Sequence, residues 1–162
     1  MVFMATGKRW SAVMKNSSPL PEGLVIREFS FPVDYPKVIE LWRNAGPGIH
    51  IRRSDEEQEL YKKLQRDPDL FLVAEVDHQI IGSVLGGYDG RRGMVYHLAV
   101  DLSYRKKGLG SLLMDQLESR LLAKGCIRSY LLVTRDNVEA IRFYENTGWE
   151  KMDLFIYGKD LG

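Results

Sequence analysis

The chain has 162 residues, which is enough for one domain with a full hydrophobic core and too few for two domains of ordinary size. Its 23 basic and 22 acidic side chains leave a net charge of +1, so overall charge does not direct the protein to nucleic acid or to an anionic membrane. The sequence has no apolar run of membrane-spanning length, and we expect a cytoplasmic protein.

The N-terminal segment differs in composition from the rest of the chain. Three basic residues precede the first acidic residue, Glu22, and the segment is rich in serine and proline near its end. We interpret residues 1–23 as a flexible N-terminal extension and residues 24–162 as the folded domain. A transit peptide is the alternative interpretation, because transit peptides are also basic and poor in acids, but they are usually richer in arginine.

Hydrophobic spacing from Leu24 onward predicts alternating strands and helices. Leu24–Phe29 is a predicted strand, and Asp34 is a suitable N-cap for the helix that follows. Ser54 and Glu57 form an S-x-x-E capping pattern, which predicts a second helix that ends at Pro68.

The second half of the chain predicts a sheet that contains both antiparallel and parallel strands. In chain order, its predicted elements are strands Leu70–Val76, Gln79–Tyr88 and Met94–Val100, a helix from Leu109 to Gly125, strand Tyr130–Thr134, a helix from Asn137 to Gly148, and strand Met152–Tyr157. The first three strands form a meander, and the helical crossover makes Met94–Val100 and Tyr130–Thr134 parallel. The predicted class is α+β, with a mixed central sheet of about six to seven strands and about four helices.

A glycine motif joins the third meander strand to the long helix. Arg105, Gly108 and Gly110 have the spacing R-x-x-G-x-G. The two glycines remove Cβ atoms that would separate a phosphate from the backbone amides, and the helix from Leu109 adds its positive N-terminal end. The spacing differs from both common phosphate-binding glycine motifs. It predicts an anion-binding loop, with an ordinary strand-to-helix turn as the alternative.

A second motif lies on the last predicted helix. Asn137, Ala140, Phe143 and Tyr144 have the spacing N-x-x-A-x-x-F-Y, and a Gly-Trp pair follows at 148–149. Both motifs, at this spacing, resemble those of the GNAT (GCN5-related) N-acetyltransferases over about Leu24 to Gly162. The departure is tryptophan where the family has phenylalanine, which keeps an aromatic ring. Without the resemblance, the helix would be interpreted as N-capped with aromatic side chains in the core.

The resemblance implies an N-acetyltransferase that moves an acetyl group from acetyl-CoA, its cosubstrate, to a primary amine by direct attack in a ternary complex. It also implies a splayed parallel strand pair that admits the pantetheine arm, with an amide near Leu98 facing the acetyl oxygen. Tyr144 corresponds to the family's general acid for the leaving thiolate. The residues expected at the acetyl-CoA site are Leu98, Ala99, Val100, Arg105, Lys106, Lys107, Gly108, Leu109, Gly110, Ser111, Asn137, Ala140, Phe143 and Tyr144.

The general base is not fixed by the resemblance, because family members use different groups. His97 and Glu75 lie on predicted strands and are the two candidates. We predict no metal site, because the three histidines have no ligand spacing and the single cysteine, Cys126, lies in an apolar context typical of core packing.

The acceptor is indicated only by the turn G-G-Y-D-G at residues 86–90, where small residues leave space and Asp89 can attract an ammonium group. We expect a small-molecule amine or amino-acid-like acceptor rather than a protein N-terminus or lysine. A homodimer is also compatible with the resemblance. Two other hypotheses are a non-catalytic acyl-CoA-binding regulatory module and a nucleotide-binding domain, but the presence of Tyr144 favours an enzyme.

Overall fold

The computed structural model describes residues 19–46 and 48–161. The helices α1 to α4 span Tyr35–Asn44, Glu57–Arg66, Leu109–Ala123 and Val138–Asn146, and the strands β1 to β5 span Val25–Glu28, Phe71–Val76, Gln79–Tyr88, Gly93–Val100 and Ser129–Leu131. Most of the predicted N-terminal extension, residues 1–18, lies outside the described residues. The domain boundary predicted at residue 24 therefore stays a prediction.

The described chain divides into two compact units between Leu132 and Val133. The first unit contains the sheet, with strand order β1-β2-β3-β4-β5. The pairs β1–β2, β2–β3 and β3–β4 are antiparallel, whereas β4 and β5 are parallel and are joined through α3. The predicted α+β class, the mixed sheet and its parallel pair are confirmed. The second unit contains α4.

The strand predicted over Met152–Tyr157 is wrong. Residues 150–161 form no strand or helix, and the side chain of Phe155 is 81% exposed. The described residues therefore form five strands rather than six to seven. The segment has the local composition of a strand, but a strand requires a neighbour for its backbone hydrogen bonds, and local composition does not supply one.

The S-x-x-E capping prediction is also wrong. Helix α2 has Glu56 as its N-cap, and Ser54 lies two residues earlier, inside a short 3₁₀ turn, Arg53–Asp55. The carboxylate of Asp55 closes that turn, because its Oδ2 accepts the backbone N–H of Arg52 at 2.9 Å. The chain thus uses an aspartate cap for the turn, and the serine is not needed.

One face of the sheet packs against α1 and α2. Trp42 of α1 is fully buried, its ring lies 6.0 Å from that of Phe71, and its Nε1–H donates to Ser83 Oγ on β3 at 2.9 Å. Ala99 of β4 belongs to the same buried cluster. The polar tip of Trp42 is thereby satisfied inside the core and fixes α1 over β3 and β4.

Helix α3 covers the other face through its leucines, and two glycines of β3 permit its close approach. A Cβ on Gly82 would lie 3.0 Å from Leu113 Cδ1, and one on Gly86 would lie 2.6 Å from Leu117 Cδ1. Both leucines are fully buried, so neither side chain can move easily. The absence of side chains at these positions sets the distance between α3 and the sheet.

Replacing Gly86→Ala should destabilise the protein by about 1–3 kcal/mol, because the new methyl group overlaps Leu117 in a closely packed interior. Urea denaturation measures the loss. Gly158→Ala is the control, since a Cβ there meets nothing within 4 Å. A loss at Gly86 no larger than that of the control would contradict this account of α3 packing.

Candidate active site

Strand β4 is paired with β5 along only part of its length. The parallel register runs from Gly93 opposite Ser129 to Val95 opposite Leu131, and β5 then ends. The remainder of β4, through Val100, has no strand on that side among residues 19–46 and 48–132. The resemblance implies that the two parallel strands separate, and the structure shows that β5 ends at Leu131 while β4 continues along this open edge.

The backbone of Leu98 and Val100 faces the open edge. Asp101 N–H donates to Ile81 O of β3 at 2.9 Å. Because alternate residues of a strand direct their N–H and C=O groups to the same neighbour, Ala99 also faces β3, and Leu98 and Val100 face the opposite side. These are the two residues whose backbone was expected to bind a pantetheine arm.

A β-bulge at Tyr96 produces this orientation. Leu85 pairs with His97 while Gly86 pairs with Val95, so Tyr96 is an extra residue on β4. Before the bulge, the backbone N–H and C=O groups of odd-numbered residues are directed toward the β5 side, as the hydrogen bond from Gly93 N–H to Arg128 O at 3.0 Å shows. After the bulge, the backbone groups of even-numbered residues are directed toward that side. The bulge also directs the side chains of Tyr96 and His97 to the same face, toward α1 and α2.

His97 is held by two groups on that face. Its Nε2 lies 3.0 Å from Asp55 Oδ1, and its ring centre lies 4.5 Å from that of Trp42. Asp55 is 5% exposed. Burial opposes ionisation of this carboxyl, but the hydrogen bonds from His97 and from Arg52 N–H outweigh burial and lower the pKa of Asp55. Sequence reasoning missed Asp55 because 42 residues separate the two partners.

Glu75 lies apart from this pair. His97 is opposite Leu85, which is opposite Phe71, and Glu75 is four residues farther along β2. Glu75 forms an ion pair with Arg27, and its Oε1 lies 3.8 Å from Nδ1 of His78. Of the two candidate bases, the structure brings only His97 to the bulge.

The glycine loop follows the open edge directly. Gly108 has φ +86° and is the N-cap of α3, and Lys106 is also left-handed at +60°. The helical hydrogen bonds begin with Leu112 N–H to Gly108 O at 3.0 Å, so the N–H groups of residues 109–111 precede the helical ladder. A Cβ on Gly108 would meet nothing within 4 Å. The loop therefore presents backbone donors beside open space, as an anion site requires.

Arg105 has a role in this loop that the sequence did not predict. Its Nε donates to Val100 O at 3.1 Å, and its Nη2 donates to Ala45 O. The guanidinium thus ties the glycine loop to the end of β4 and to the C-cap of α1. Beside it, Lys107 Nζ lies 5.1 Å from the ring centre of Tyr104.

The second unit contains the other predicted motif. Asn137 caps α4 as expected, because its Oδ1 accepts Ala140 N–H at 3.1 Å. The ring of Tyr144 lies 5.1 Å from that of Phe143 and 6.1 Å from that of Trp149. Burial raises the pKa of Tyr144 to about 12. Its hydroxyl therefore keeps its proton at neutral pH.

Asp89, predicted to attract an ammonium group, stabilises its own turn. Its Oδ1 accepts the backbone N–H groups of Arg91 at 2.7 Å and Arg92 at 2.6 Å. These hydrogen bonds lower the pKa of the Asp89 carboxyl. The carboxylate sets the shape of the β3–β4 connection.

Within residues 19–46 and 48–161, no group of three or more His, Cys, Asp or Glu side chains could hold a metal ion. No helix in the same residues is both long and apolar enough to cross a membrane.

Comparison with known proteins identifies this arrangement. Residues 35–149 match the acetyltransferase (GNAT) family. An acetyltransferase of Pectobacterium atrosepticum is 42% identical over 128 residues, covering 79% of this chain and 89% of the relative. The PaiA N-acetyltransferase of Thermoplasma acidophilum, solved with coenzyme A, has a TM-score of 0.70 at 23% identity and covers 82% of this chain and 92% of its own. AAC(6')-Iy, solved with a CoA-S-monomethyl-acetylneamine bisubstrate analogue, has a TM-score of 0.67 at 17% identity, with coverage of 85% and 97%.

Replacing Asp55→Asn should lower the free energy of unfolding at pH 7 by about 1–3 kcal/mol, because the charge is lost and the single amide oxygen cannot accept from both His97 and Arg52 N–H. The folded pKa of Asp55 is lowered, so its contribution is present above the unfolded pKa of about 4 and is lost as the pH falls through the folded value. Urea denaturation at pH 7 and at pH 3.5 should show the difference from wild type shrinking at the lower pH.

Glu59→Gln is the control for this prediction, since it removes an exposed ion pair with Lys62. It should cost less than about 1 kcal/mol. Equal losses for Asp55→Asn and Glu59→Gln at pH 7 would show that the pair with His97 does not stabilise the fold.

Proposed function

Because the chain belongs to the acetyltransferase (GNAT) family, we propose that it transfers an acetyl group from acetyl-CoA to a primary amine on a small molecule. The observation that carries the proposal is the open edge of β4, which leads directly into the glycine loop at the N-terminus of α3. An edge with free backbone groups accepts a linear amide chain, and a helix N-terminus accepts a phosphate. Coenzyme A has both parts.

The cofactor is held mainly by the main chain in this proposal. Leu98 binds the pantetheine arm through its N–H and C=O groups, and Val100 does so through its N–H, because Val100 O already accepts Arg105 Nε. The N–H groups of residues 109–111 bind the pyrophosphate. Lys106 and Lys107 add positive charge. The main role of Arg105 is to hold the glycine loop in place through its hydrogen bonds to the carbonyl groups of Val100 and Ala45.

His97 is the proposed base for the acceptor amine. A carboxylate only accepts hydrogen bonds, so Asp55 favours the tautomer in which Nε2 carries the proton. The other ring nitrogen, Nδ1, is then the atom that can accept a proton. Attack of the neutral amine on the thioester carbonyl forms the new C–N bond, and collapse of the intermediate breaks the C–S bond and releases the thiolate of CoA.

The resemblance implies that Tyr144 is the general acid, and we propose that its hydroxyl acts on the leaving thiolate as a hydrogen-bond donor. With a pKa of about 12 it is a much weaker acid than a thiol, whose pKa is about 8.5. The hydroxyl therefore stabilises the thiolate chiefly as a hydrogen-bond donor, and it stays protonated at neutral pH. The presence of this hydroxyl supports an enzyme rather than a regulatory acyl-CoA-binding module.

Released CoA, measured with a thiol reagent across a panel of primary amines, tests the proposed function. We expect at least one small amine to release CoA faster than the hydrolysis of acetyl-CoA alone, with the acetylated amine as product. The proposal is wrong if lysine-containing peptides react while every small amine fails, or if a nucleotide stabilises the protein against heating and acetyl-CoA does not.

Replacing Gly108→Glu should weaken binding of CoA by about tenfold or more, because the side chain fills the open space and repels the pyrophosphate. Isothermal titration measures the affinity. Gly23→Glu is a matched control, since Gly23 also has a positive φ, +74°, and open surroundings. Melting temperatures without ligand check that both variants fold. Equal affinity in the two variants would remove the glycine loop from the cofactor site.

Replacing Tyr144→Phe should lower kcat by about tenfold or more while the KM for acetyl-CoA changes little, because only the hydroxyl is lost. Steady-state kinetics with the best amine of the panel separates the two constants. Tyr157→Phe removes an exposed hydroxyl from the same unit and should leave kcat as in wild type. An unchanged kcat for Tyr144→Phe would show that the Tyr144 hydroxyl does not stabilise the leaving thiolate.

A further inference from the structure

A row of buried rings ends at His97. The ring centres of Phe29 and Phe71 are 4.2 Å apart, and those of Phe71 and Trp42 are 6.0 Å apart. The ring centres of Trp42 and His97 are 4.5 Å apart. The first three rings are buried, whereas the side chain of His97 is 17% exposed, so the row runs from the core toward the surface. In a close-packed interior, a ring within such a row cannot shift without leaving a void.

Ser83 fixes the rotation of the Trp42 indole. On β3, Gly82 and Gly86 face α3, so Ser83, an odd-numbered residue of the same strand, faces α1. Its Oγ accepts the Nε1–H of Trp42 at 2.9 Å, and both side chains are fully buried. An indole has a single N–H donor, so this hydrogen bond satisfies the one polar group of the ring. A different rotation of the indole would take the buried donor away from its acceptor.

Helix α1 also holds the carboxylate partner of His97. Tyr35 and Trp42 are seven residues apart on α1 and therefore lie on one face of the helix. The hydroxyl of Tyr35 donates to Asp55 O at 3.4 Å, and Asp55 Oδ2 accepts Arg52 N–H at 2.9 Å. Asp55 Oδ1, the other carboxylate oxygen, lies 3.0 Å from Nε2 of His97. One helix thus contacts both groups that hold the imidazole.

Two contacts fix the imidazole. The hydrogen bond to Asp55 sets the position of Nε2, and the indole of Trp42 lies against the ring and limits its rotation. A general base must lie about 2.6–3.2 Å from the atom whose proton it takes. A displacement of about 1 Å caused by a distant substitution can lower a rate by about a hundredfold. The position of Nδ1 should therefore depend on the residues behind the imidazole.

We propose that Trp42 and Ser83 are positioning residues for His97. Ser83 Oγ holds the indole, and the indole and Asp55 together hold the imidazole so that Nδ1 is directed to the acceptor amine. One proton passes from the acceptor nitrogen to the lone pair of Nδ1, while Nε2 keeps its own proton beside Asp55. The proton on Nδ1 passes to water before the next turnover. This inference rests on the proposed acetyltransferase function, with His97 as its base, and adds two buried residues that act through the base without touching substrate.

A double-mutant cycle tests the inference. With the best amine of the panel, Ser83→Ala should lower kcat by about fivefold or more and leave the KM for acetyl-CoA near that of wild type, because only the base is displaced. In a His97→Gln background, Ser83→Ala should change kcat by less than about twofold, because its effect depends on the imidazole. Ser83→Thr keeps the accepting hydroxyl and should keep kcat within about twofold of wild type.

Val84→Ala is the matched control, since Val84 is the next residue of β3, is fully buried, and faces α3 rather than Trp42. It should lower the melting temperature without changing kcat by more than about twofold. Melting temperatures establish that each variant is folded at the assay temperature. If Ser83→Ala does not fold, Ser83→Cys replaces it in the cycle, because the sulfur is a weak acceptor in a side chain of similar size.

The inference is overturned if Ser83→Ala and Val84→Ala have equal kcat, if His97→Gln leaves kcat unchanged, or if Ser83→Ala lowers kcat equally in both backgrounds. Acetylation by the wild type would still support the proposed function in each of these cases. If the His97→Gln rate is too small to measure, Ser83→Ala and Ser83→Thr decide the question, and equal losses in the two variants overturn the inference. Failure of every amine to release CoA would overturn both the inference and the proposed function.

Discussion

The direction of the backbone groups along β4 depends on one extra residue, Tyr96. A strand without the bulge would direct the backbone N–H and C=O groups of Leu98 and Val100 toward β3, where they would form the hydrogen bonds of the sheet. With it, their hydrogen-bonding groups face outward at the place where β5 has already ended. The bulge also places the side chains of His97 and Tyr96 on the same face of the sheet. The outward direction of the backbone groups of Leu98 and Val100 and the side-chain face of His97 therefore both follow from a single irregularity in the pairing.

The stability of this irregular strand comes from the packing on both faces. Trp42 is buried against His97 on one side, and its hydrogen bond to Ser83 gives α1 a fixed position over the sheet. On the other side, α3 approaches β3 closely because Gly82 and Gly86 have no side chains. Since α3 begins at the glycine loop, the contact that stabilises the core also fixes the position of the first turn of the helix.

Local features of the site could be predicted from the sequence, and long-range ones could not. The glycine loop, the N-cap by Asn137 and the parallel strand pair depend on residues that are near in sequence or on a simple crossover rule. The bulge depends on pairing register, and no glycine or proline lies next to Tyr96 on β4, although Gly86 is opposite it on β3. The partnership of Asp55 with His97 spans 42 residues and has no sequence signal. The segment Met152–Tyr157 shows the converse, because a strand-like pattern formed no strand.

The bridge made by Arg105 has a consequence for how the protein responds to ligand. One guanidinium holds Val100 at the end of the open edge and Ala45 at the end of α1, and the same residue opens the glycine loop. Under the proposed function, a phosphate bound at the glycine loop would therefore be linked to the C-terminal end of α1 through a single side chain. Binding at the loop and the position of that helix end would then be coupled, although no cofactor atom needs to touch α1.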